Sequence, residues 1–580
     1  MRWKRPAVAV SVAALLTLAA CGGDGGSSAP ETTETFIEGG GAGQAIDPTR
    51  IEGPAPAIEG ATEGGDVTVL SASGLTTMDP TEAYYVNTYS ILSGLVVRSL
   101  TQYVYDPESE GMVLIPDLAT KWVSNDDFTE WTFTIREGVR YENGDEVTPD
   151  DVVYGLLRSM DRKTFAGGAD YSNQYFKGGL KYEGPITSGS TDFPGITVSG
   201  QDVTIKMSKP FPDMPYWGAF PTISAIPEKA SDPKDYALHP LATGPYMFDE
   251  YEPGTSLSLV RNTEWDPATD PGRHAYPESY DMTFSDDSSQ LDQLILNDQG
   301  NAQTTLTYDN LLTPDYRTAR NEAQDRLVLG SAPCTFYQAL EWDEITDPLV
   351  REAIAWAYPY EDNWLAIGEV VGVTRVPGTT ILPPGIPGRE VYDAIGTEGQ
   401  VTDVDKARAL LEEAGEVGYE LRYLYYTDDP NSVAGQKEVT KSYEAAGFTA
   451  KPVATTLAEG PTQRSDPDFP INVRGGGWCS DWPTGSSWMP PLFQSDGSTN
   501  YGSFNEPAVD EEILRIQSEV PIEDQPAEWA TLDQTIMEEY QPWVITGYSG
   551  VAMLHGSKID GMLNDDVAGM PTWKDISLIQ

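Results

Sequence analysis

The sequence contains few of the side chains that catalysis and metal binding use most often. Among 580 residues there are three cysteines and three histidines, and the histidines His239, His274 and His555 are far apart in the chain. None of the patterns Gly-x-Ser-x-Gly, His-Glu-x-x-His or a phosphate-binding glycine loop is present. We therefore expect a protein that is not an enzyme and needs no metal or cofactor, with a secreted hydrolase as the enzymatic alternative.

Positive charge is also scarce. The chain has 36 Lys and Arg residues against 90 Asp and Glu residues, which gives a formal net charge of −54. Such a surface repels nucleic-acid phosphates and anionic lipid headgroups, so a nucleic-acid partner is excluded. The general explanation of this acidity is solubility, and it does not identify a ligand.

Long apolar runs are confined to the N-terminus. Arg2, Lys4 and Arg5 precede an apolar stretch at 7–20, the layout of an export signal, and no later run of 18 apolar residues is long enough to span a bilayer. The sequence Leu-Ala-Ala-Cys-Gly around Cys21 resembles the bacterial lipobox, in which the cysteine receives lipid. We expect residues 1–20 to be a signal peptide and Cys21 to anchor a monomer on the outer face of a cell membrane, in a Gram-positive bacterium. An ordinary cleaved signal is the alternative.

Residues 22–65 are rich in Gly, Ser, Ala, Thr, Pro and Glu and contain almost no aromatic residues. They are predicted to form a flexible tether because they can bury little apolar surface. Beyond Cys21, the remaining cysteines are Cys334 and Cys479. In an oxidising compartment they form either one disulfide or two separate buried thiols.

After residue 65, alternating strands and capped helices predict a mixed α/β fold. Thr148 followed by Pro149 and two aspartates predicts a helix start, and Asn143-Gly144 predicts a tight turn that closes a hairpin after residues 131–136. The other predicted helices are at 348–357, 403–414 and 432–446. The other predicted strands are at 66–70, 197–207, 256–260 and 421–425.

Several sequence blocks, in order, resemble the family 5 extracellular solute-binding proteins of ABC importers, the group that contains dipeptide- and oligopeptide-binding lipoproteins. The blocks lie at 115–122, 133–153, 242–262, 350–354, 405–411 and 477–483. Most of their residues, such as Gly138, Asp150 and Gly244, are expected to form turns and helix caps rather than to contact a ligand.

This resemblance implies an α/β, two-lobed periplasmic-binding-protein-like fold of type II, in the large cluster with an additional subdomain in the first lobe. Lobe I would comprise residues 66–333, with the inserted subdomain at about 98–222. Lobe II would comprise 334–549, and 550–580 would return to lobe I. Two strands between the lobes would act as a hinge.

The same resemblance implies the binding site. In oligopeptide-binding relatives the aspartate two residues after the cysteine pairs with the α-ammonium group of the peptide, and here that residue is Asp481. It also implies a disulfide between Cys334 and Cys479. A carboxylate suits this role, because an ammonium group that loses water in a closed cleft needs a replacement partner. An aspartate that caps a turn is the alternative.

Other residues are predicted to line the cleft with less specific roles. They are Gly477, Trp478 and Trp482 from lobe II and Tyr84, Tyr85 and Val86 from lobe I, with core packing as the alternative. Arg474 lies near the position where some relatives bind the peptide carboxylate, although its spacing is shifted by one residue.

The expected function is therefore the capture of short peptides for delivery to membrane permease subunits of an ABC importer. Two other functions remain open. The same fold carries sugars, nickel chelates or haem in other members of the family, although three scattered histidines do not favour a metal or haem. A surface lipoprotein that senses peptides without importing them is the third hypothesis.

Overall fold

The computed structural model describes residues 45–284, 287–396 and 400–579. Cys21, the export signal and the first half of the expected tether lie outside the described residues. The first strands are β1 (Ala45–Ile46), β2 (Asp66–Ser71), β3 (Thr101–Asp106), β4 (Gly111–Pro116), β5 (Ala119–Ser124), β6 (Glu130–Ile135), β7 (Ile196–Ser199), β8 (Asp202–Lys206), β9 (Tyr246–Glu252), β10 (Ser256–Arg261), β11 (Ser279–Phe284) and β12 (Thr305–Thr307). The later strands are β13 (Leu327–Leu340), β14 (Arg375–Val376), β15 (Glu420–Tyr426), β16 (Thr449–Thr455), β17 (Val473–Cys479), β18 (Trp543–Leu554), β19 (Ile559–Asp560), β20 (Asn564–Asp565), β21 (Met570–Pro571) and β22 (Ser577–Leu578).

Helices connect these strands. They are α1 (Val86–Ile91), α2 (Pro149–Arg158), α3 (Tyr171–Tyr175), α4 (Pro185–Ser188), α5 (Met214–Trp217), α6 (Ser288–Asn297), α7 (Thr313–Glu322), α8 (Pro348–Ala357), α9 (Tyr360–Ala366), α10 (Val404–Ala414), α11 (Pro430–Ala446), α12 (Gly460–Ser465), α13 (Met489–Phe493), α14 (Pro507–Glu519) and α15 (Gln525–Thr535). Single π-helical turns, Leu92–Val96 and Ile536–Tyr540, follow α1 and α15.

Two large sheets form the body of the protein. The first has the strand order β12-β2-β11-β10-β9, and β2 pairs in parallel with both of its neighbours. The second has the order β14-β18-β13-β17-β15-β16. In the first sheet, Val67 and Val69 of β2 point into one apolar core, because successive residues of a strand face opposite sides. The expected α/β architecture is thus built on two separate sheets.

The long strands β13 and β18 contribute to both halves. They pair antiparallel from Leu327↔Leu554 to Ala339↔Trp543, with a register irregularity between Ser331 and Thr335. Val328 of β13 packs in the core of the first sheet, whereas Tyr337 of the same strand packs in a core of the second. These two strands are therefore a continuous connection between the two sheets.

A third sheet, in the order β5-β6-β8-β7, is antiparallel throughout. It shares an apolar cluster with α2, and the members of that cluster fall between Leu100 and Ala225 apart from one residue, Trp482. The chain between these limits thus has a core of its own, which a residue from the second half of the sequence completes.

Buried ionic groups connect this region to the first sheet. The Nε of Arg98 donates to Oδ1 of Asp117 at 2.6 Å, and Nη1 of Arg273 donates to Oδ2 of Asp117 at 2.9 Å. Asp270 lies 3.1 Å from Nη1 of Arg273. All four side chains are at most 1% exposed. Although burial opposes it, the two guanidinium groups hold the pKa of Asp270 well below its usual value. The network is balanced in charge, which a buried cluster requires.

Most predicted elements are confirmed. The Thr148 side chain accepts from the amide of Asp151, and the Asp151 carboxylate accepts from the amide of Thr148, a capping box that begins α2. The helix at 348–357, the helices near 404–414 and 430–446, and the strands near 66–71, 256–261 and 420–426 are present.

Two predictions of local structure were wrong. The predicted strand at 197–207 is two strands, β7 and β8, because Gly200 has a φ of +64° and closes a hairpin there. The turn at Gly144 joins an isolated bridge between Arg140 and Glu146, while β6 pairs with β5 and β8 instead. Turn signals located the bends, but they did not identify the strands that pair.

The predicted tether was too long. Residues from Ala45 onward lie on the folded body, since β1 pairs in parallel with Val113 and Leu114 of β4. Ala55 is buried, and the Thr62 hydroxyl donates to the carbonyl of Leu578. Composition missed this segment because its ordering depends on main-chain hydrogen bonds to distant strands rather than on its own apolar side chains.

We expect Asp117→Ala to lower the free energy of unfolding by about 3–5 kcal/mol, because it leaves two buried guanidinium groups without their shared carboxylate. Urea unfolding followed by circular dichroism measures the change. Glu183→Gln is the control, since Glu183 pairs with Lys163 at the surface, where both side chains are more than half exposed, and a negligible change is expected. Equal stability of the Asp117→Ala and wild-type proteins would contradict the role of the network.

Candidate ligand-binding site

The strand β17 lies beside β13 and ends at a disulfide. Cys334 and Cys479 face each other in the register of the two strands and are bonded, so the predicted disulfide is confirmed. The bond connects residues separated by 145 positions in sequence. Asp481 follows two residues later, and the crosslink therefore fixes the segment that carries it.

Asp481 is half-buried and is held by two tyrosines. The hydroxyl of Tyr84 donates to its Oδ2 at 2.8 Å, and the hydroxyl of Tyr171 donates to the same oxygen. Burial raises the pKa of Asp481 to about 7, although both hydrogen bonds favour the charged form and oppose the shift. The result is a carboxylate that has no cationic partner among the described residues and whose Oδ1 takes part in neither bond.

A cavity of about 640 Å³ of non-atom space begins at Asp481. Its other walls come from α1, from the β3–β4 hairpin and from the C-terminal segment after β19. Side chains that matter below are Tyr89, Tyr103, Phe220, Asp565, Trp573 and Lys574. The predicted amine-binding residue thus lies in the wall of a cavity that is lined by segments distant from it in sequence.

The first-lobe residues predicted to line the cleft differ in position. Tyr84 is hydrogen-bonded to Asp481, as described above. Tyr85 is 59% exposed and precedes α1, and Val86 is the half-buried first residue of that helix. The structure therefore brings Tyr84 to the carboxylate, whereas Tyr85 and Val86 are not among the described residues that line the cavity at Asp481.

Gly477 and Trp478 lie on β17. Gly477 is exposed, and a Cβ at this position would lie 2.8 Å from the ring of Phe336, so a side chain does not fit without a shift. Trp478 is half-buried, and its Nε1 donates to the carbonyl of Ser487 at 2.9 Å. Gly477 thus exposes main chain, whereas Trp478 holds the loop after Asp481.

Trp482 is not a cavity residue. It is completely buried in the cluster of residues 100–225, with its ring centroid 4.6 Å from that of Tyr171. Beside it, the Ser486 hydroxyl donates to the carboxylate of Asp213, and burial raises the pKa of Asp213 to about 6. Trp482 and Ser486 therefore fasten the loop after β17 to the region around the third sheet.

The structure also assigns Arg474 to a different role from the one predicted. It is 1% exposed, its Nε donates to Glu341 at 2.9 Å, and its Nη1 donates to the carbonyls of Arg464 and Asp466 at 2.8 and 3.0 Å. The guanidinium therefore makes its hydrogen bonds to other residues of the second half of the chain. The prediction that it binds a ligand carboxylate was wrong, because sequence spacing does not show which side of a strand is covered.

Sequence reasoning missed Tyr171, Asp213 and Asp565. Tyr171 is one of 30 tyrosines, and no local pattern distinguishes it. Asp213 and Asp565 belong to segments that are distant from Asp481 in sequence, so only the fold brings them near it. Within the described residues, no group of three or more His, Cys, Asp or Glu side chains could hold a metal ion.

Comparison with known proteins identifies the family. The model of the bacterial extracellular solute-binding proteins, family 5, middle region, matches residues 113–500. The chain belongs to this family. The resemblance of the sequence blocks to the solute-binding proteins of ABC importers is therefore confirmed.

Individual members of family 5 are similar to most of the chain. The periplasmic oligopeptide-binding protein OppA of Salmonella typhimurium is 24% identical over 419 residues, which are 69% of this chain and 72% of OppA. Heme-binding protein A of Haemophilus influenzae is 22% identical over 491 residues, 79% of this chain and 84% of that protein.

A solved structure supports the fold. Clavulanic acid biosynthesis oligopeptide binding protein 2 superposes with a TM-score of 0.78 at 22% identity, covering 92% of this chain and 100% of that one. The two-lobed periplasmic-binding-protein-like fold is thus confirmed. Among the residues that the structure describes, no helix is both long and apolar enough to cross a membrane.

We expect Tyr171→Phe to raise the pKa of Asp481 above its wild-type value, because it removes a hydrogen bond to the charged carboxylate. Carbon-13 NMR titration of the aspartate carboxyl groups measures this pKa, and Asp481→Asn assigns the signal by its disappearance. Tyr175→Phe is the control, since Tyr175 neighbours Tyr171 but its hydroxyl is paired with Gln517. An unchanged or lowered pKa in Tyr171→Phe would contradict the observed geometry.

Proposed function

We propose that this family 5 protein binds short peptides between its lobes and delivers them to an ABC importer. The observation that carries the proposal is the Asp481 carboxylate, which lies at a cavity, accepts hydrogen bonds from tyrosines and has no cationic partner in the described part of the chain. A peptide α-ammonium group supplies the missing positive charge. The printed name of OppA, an oligopeptide-binding protein, supports the same cargo class.

The energetic argument rests on desolvation. An ammonium group that enters a closed site loses its water, which costs several kcal/mol unless a carboxylate replaces that water. Asp481 is itself half-buried, and this burial raises its pKa, so it also gains from pairing with a cation. Because every peptide with a free N-terminus carries this group, one aspartate is sufficient to bind peptides of many sequences.

The edge of β17 supplies sites for the peptide main chain. One side of β17 pairs with β13 along its length, whereas its pairing with β15 is at Tyr423↔Val473. Gly475 and Gly477 beyond that point are exposed, and nothing lies within 4 Å of a Cβ built on Gly475. An extended peptide can therefore add alongside β17 and exchange main-chain hydrogen bonds with it, without contacts that depend on sequence.

Lobe movement is part of the proposal. We assign lobe I to residues 66–333 with the inserted subdomain at about 98–222, lobe II to 334–549 and the return to 550–580. The strands β13 and β18 would form the hinge, because they extend through both cores. Trp482 and the Ser486–Asp213 hydrogen bond connect the two sides next to Asp481, and they would form as the lobes close.

We also propose that the mature protein is a lipoprotein, anchored through Cys21 on the outer face of the membrane of a Gram-positive bacterium. Both the signal and Cys21 lie outside the described residues, so this step rests on the sequence pattern alone. The protein would act as a monomer next to the permease subunits, and the shortened tether would determine its reach.

Haem is the strongest alternative cargo, because a haem-binding protein is among the relatives. The histidines do not favour it. His239 pairs with Glu142 and His274 lies 3.2 Å from Asp575, while Nδ1 of His555 is 2.9 Å from the carbonyl of Gly556. These histidines are in separate parts of the protein and do not line the cavity at Asp481, which instead suits an amine.

We expect Asp481→Asn to weaken binding of Ala-Ala-Ala by on the order of 100-fold or more, because it removes one partner of a buried ion pair. Isothermal titration calorimetry on protein freed of copurified cargo measures the effect. Asp468→Asn, which changes an exposed aspartate of the same half, is the control. N-acetylated peptide should bind the wild type as weakly as free peptide binds Asp481→Asn, and tight binding of the acetylated peptide would rule out the proposed amine contact.

Affinity should depend on pH in a defined direction. Since burial raises the pKa of Asp481 to about 7, the carboxyl group is protonated in the empty site at lower pH and must lose that proton to pair with the ammonium. Below pH 7, affinity should therefore fall by about tenfold per pH unit, and above pH 8 it should fall again as the peptide amine, with a pKa of about 7.7–8.0, loses its charge.

The acid side of this profile should be absent from Asp481→Asn, which has no proton to lose at that position. Calorimetric dissociation constants between pH 5 and 9 provide the measurement. A wild-type affinity that rises as the pH falls from 7 to 5 would show that the ionised carboxylate is not the group that binds the cargo.

A further inference from the structure

The cavity beside Asp481 has a place for one ligand side chain. Its wall includes Asp481 but no residue of β17. If the ammonium group of a peptide pairs with Asp481 and its main chain lies along the edge of β17, that main chain therefore extends away from the cavity. The first side chain is attached to the same carbon atom as the ammonium, and the cavity is the space that remains for it.

Acidic and phenolic groups lie in the wall of this space. Oδ1 of Asp565 accepts the amides of Val567 and Ala568 at 2.9 and 3.2 Å, which fixes the carboxylate in the turn after β20 and leaves Oδ2 outside these bonds. Tyr89, Asp481 and Asp565 line the same cavity, and burial, followed by the negative charges of the two aspartates, raises the pKa of Tyr89 well above its usual value.

Tyr103 is one of the phenols in this wall. Its hydroxyl is buried and makes no hydrogen bond within the part of the chain that the structure describes. Tyr103 and Asp565 line the same cavity, and burial, followed by the neighbouring tyrosines and the charge of Asp565, raises the pKa of Tyr103 well above its usual value. A buried hydroxyl without a partner is costly, and a ligand group that donates hydrogen bonds removes that cost.

The walls suit the stem of a long side chain. The rings of Tyr89 and Phe220 are 5.4 Å apart between centroids, and Trp573 lies in the same wall. Aromatic faces bind the methylene groups of lysine and arginine and attract their positive charges. A cation at the end of such a stem would reach the Asp565 carboxylate with its apolar part covered.

Lys574 is the opposing charge in the cavity. Its ammonium donates to Oε1 of Gln102 and to the carbonyl of Tyr103, so its hydrogen bonds are directed at the protein. Burial and the nearby Arg273 guanidinium lower its pKa to about 7, and it therefore offsets the carboxylates only in part at neutral pH.

We propose that this cavity selects peptides whose first residue is lysine or arginine, with Asp565 and the Tyr103 hydroxyl as the partners of the cationic group. The inference rests on the proposed function, because Asp481 must hold the peptide amine for the first side chain to enter here. It adds a preference at one position to a site that otherwise binds main chain.

The test compares tripeptides by calorimetry on wild-type protein freed of cargo. Lys-Ala-Ala and Arg-Ala-Ala should bind about tenfold or more tightly than Met-Ala-Ala, which has a neutral side chain of similar length. Ala-Lys-Ala has the same charge as Lys-Ala-Ala in a different position, and it should show no such gain over Ala-Met-Ala. Glu-Ala-Ala should bind most weakly.

Two variants locate the effect. Asp565→Asn retains an Oδ1 that can accept the two amides, and it should bring the ratio between Lys-Ala-Ala and Met-Ala-Ala close to 1. Tyr103→Phe removes a hydroxyl that makes no hydrogen bond to the residues that the structure describes, so the variant should fold normally and reduce the same ratio by a few-fold. Thermal unfolding of each variant establishes that it is folded, and Tyr103→Phe keeps the test valid if Asp565→Asn is unstable.

The outcomes separate this inference from the proposed function. If Met-Ala-Ala binds in a way that depends on Asp481 but Lys-Ala-Ala binds no better, the preference is refuted and peptide binding stands. Tightest binding of Glu-Ala-Ala would also refute it and would assign the cavity to Lys574. If none of the peptides binds, both the inference and the proposed function are wrong.

Discussion

The arrangement of the site depends on one desolvated carboxylate. Asp481 is held from one side by the disulfide-bonded end of β17 and from the other by the hydroxyls of Tyr84 and Tyr171. The tyrosines belong to the first part of the chain and Asp481 to the second, so the carboxylate that we propose as the cargo-binding group also joins the two halves. Under that proposal, the ligand amine and the closure of the protein would use the same carboxylate.

Sequence predicted the features that depend on local chemistry or on a shared motif. The capping box at Thr148 and the helix at 348–357 follow from residues only a few positions apart. The bond between Cys334 and Cys479 followed from the resemblance to family 5, not from composition, and the binding role of Asp481 stays a prediction from the same resemblance. For such features a single chain carries enough information.

Sequence could not predict the contacts between segments that are distant from one another in the chain. Arg474 had the right charge for a ligand carboxylate, but Glu341, the residue after β13, binds it. Trp482 had the right shape for a ligand platform, but it fills a core whose other members lie more than 250 positions earlier. In both cases the side chain makes a tertiary contact inside the protein, and residue type and sequence spacing do not show that contact.

The covalent link at the end of β17 has a consequence for where the protein can work. Thiols remain reduced in the cytoplasm, so the bond between Cys334 and Cys479 forms only after the chain has reached an oxidising compartment. Until then the segment before Asp481 lacks its covalent restraint, and ordering it for a ligand costs additional entropy. If the chain binds peptides outside the cell as proposed, newly made copies would pass through the peptide-rich cell interior as poor binders and acquire full affinity once the disulfide has formed.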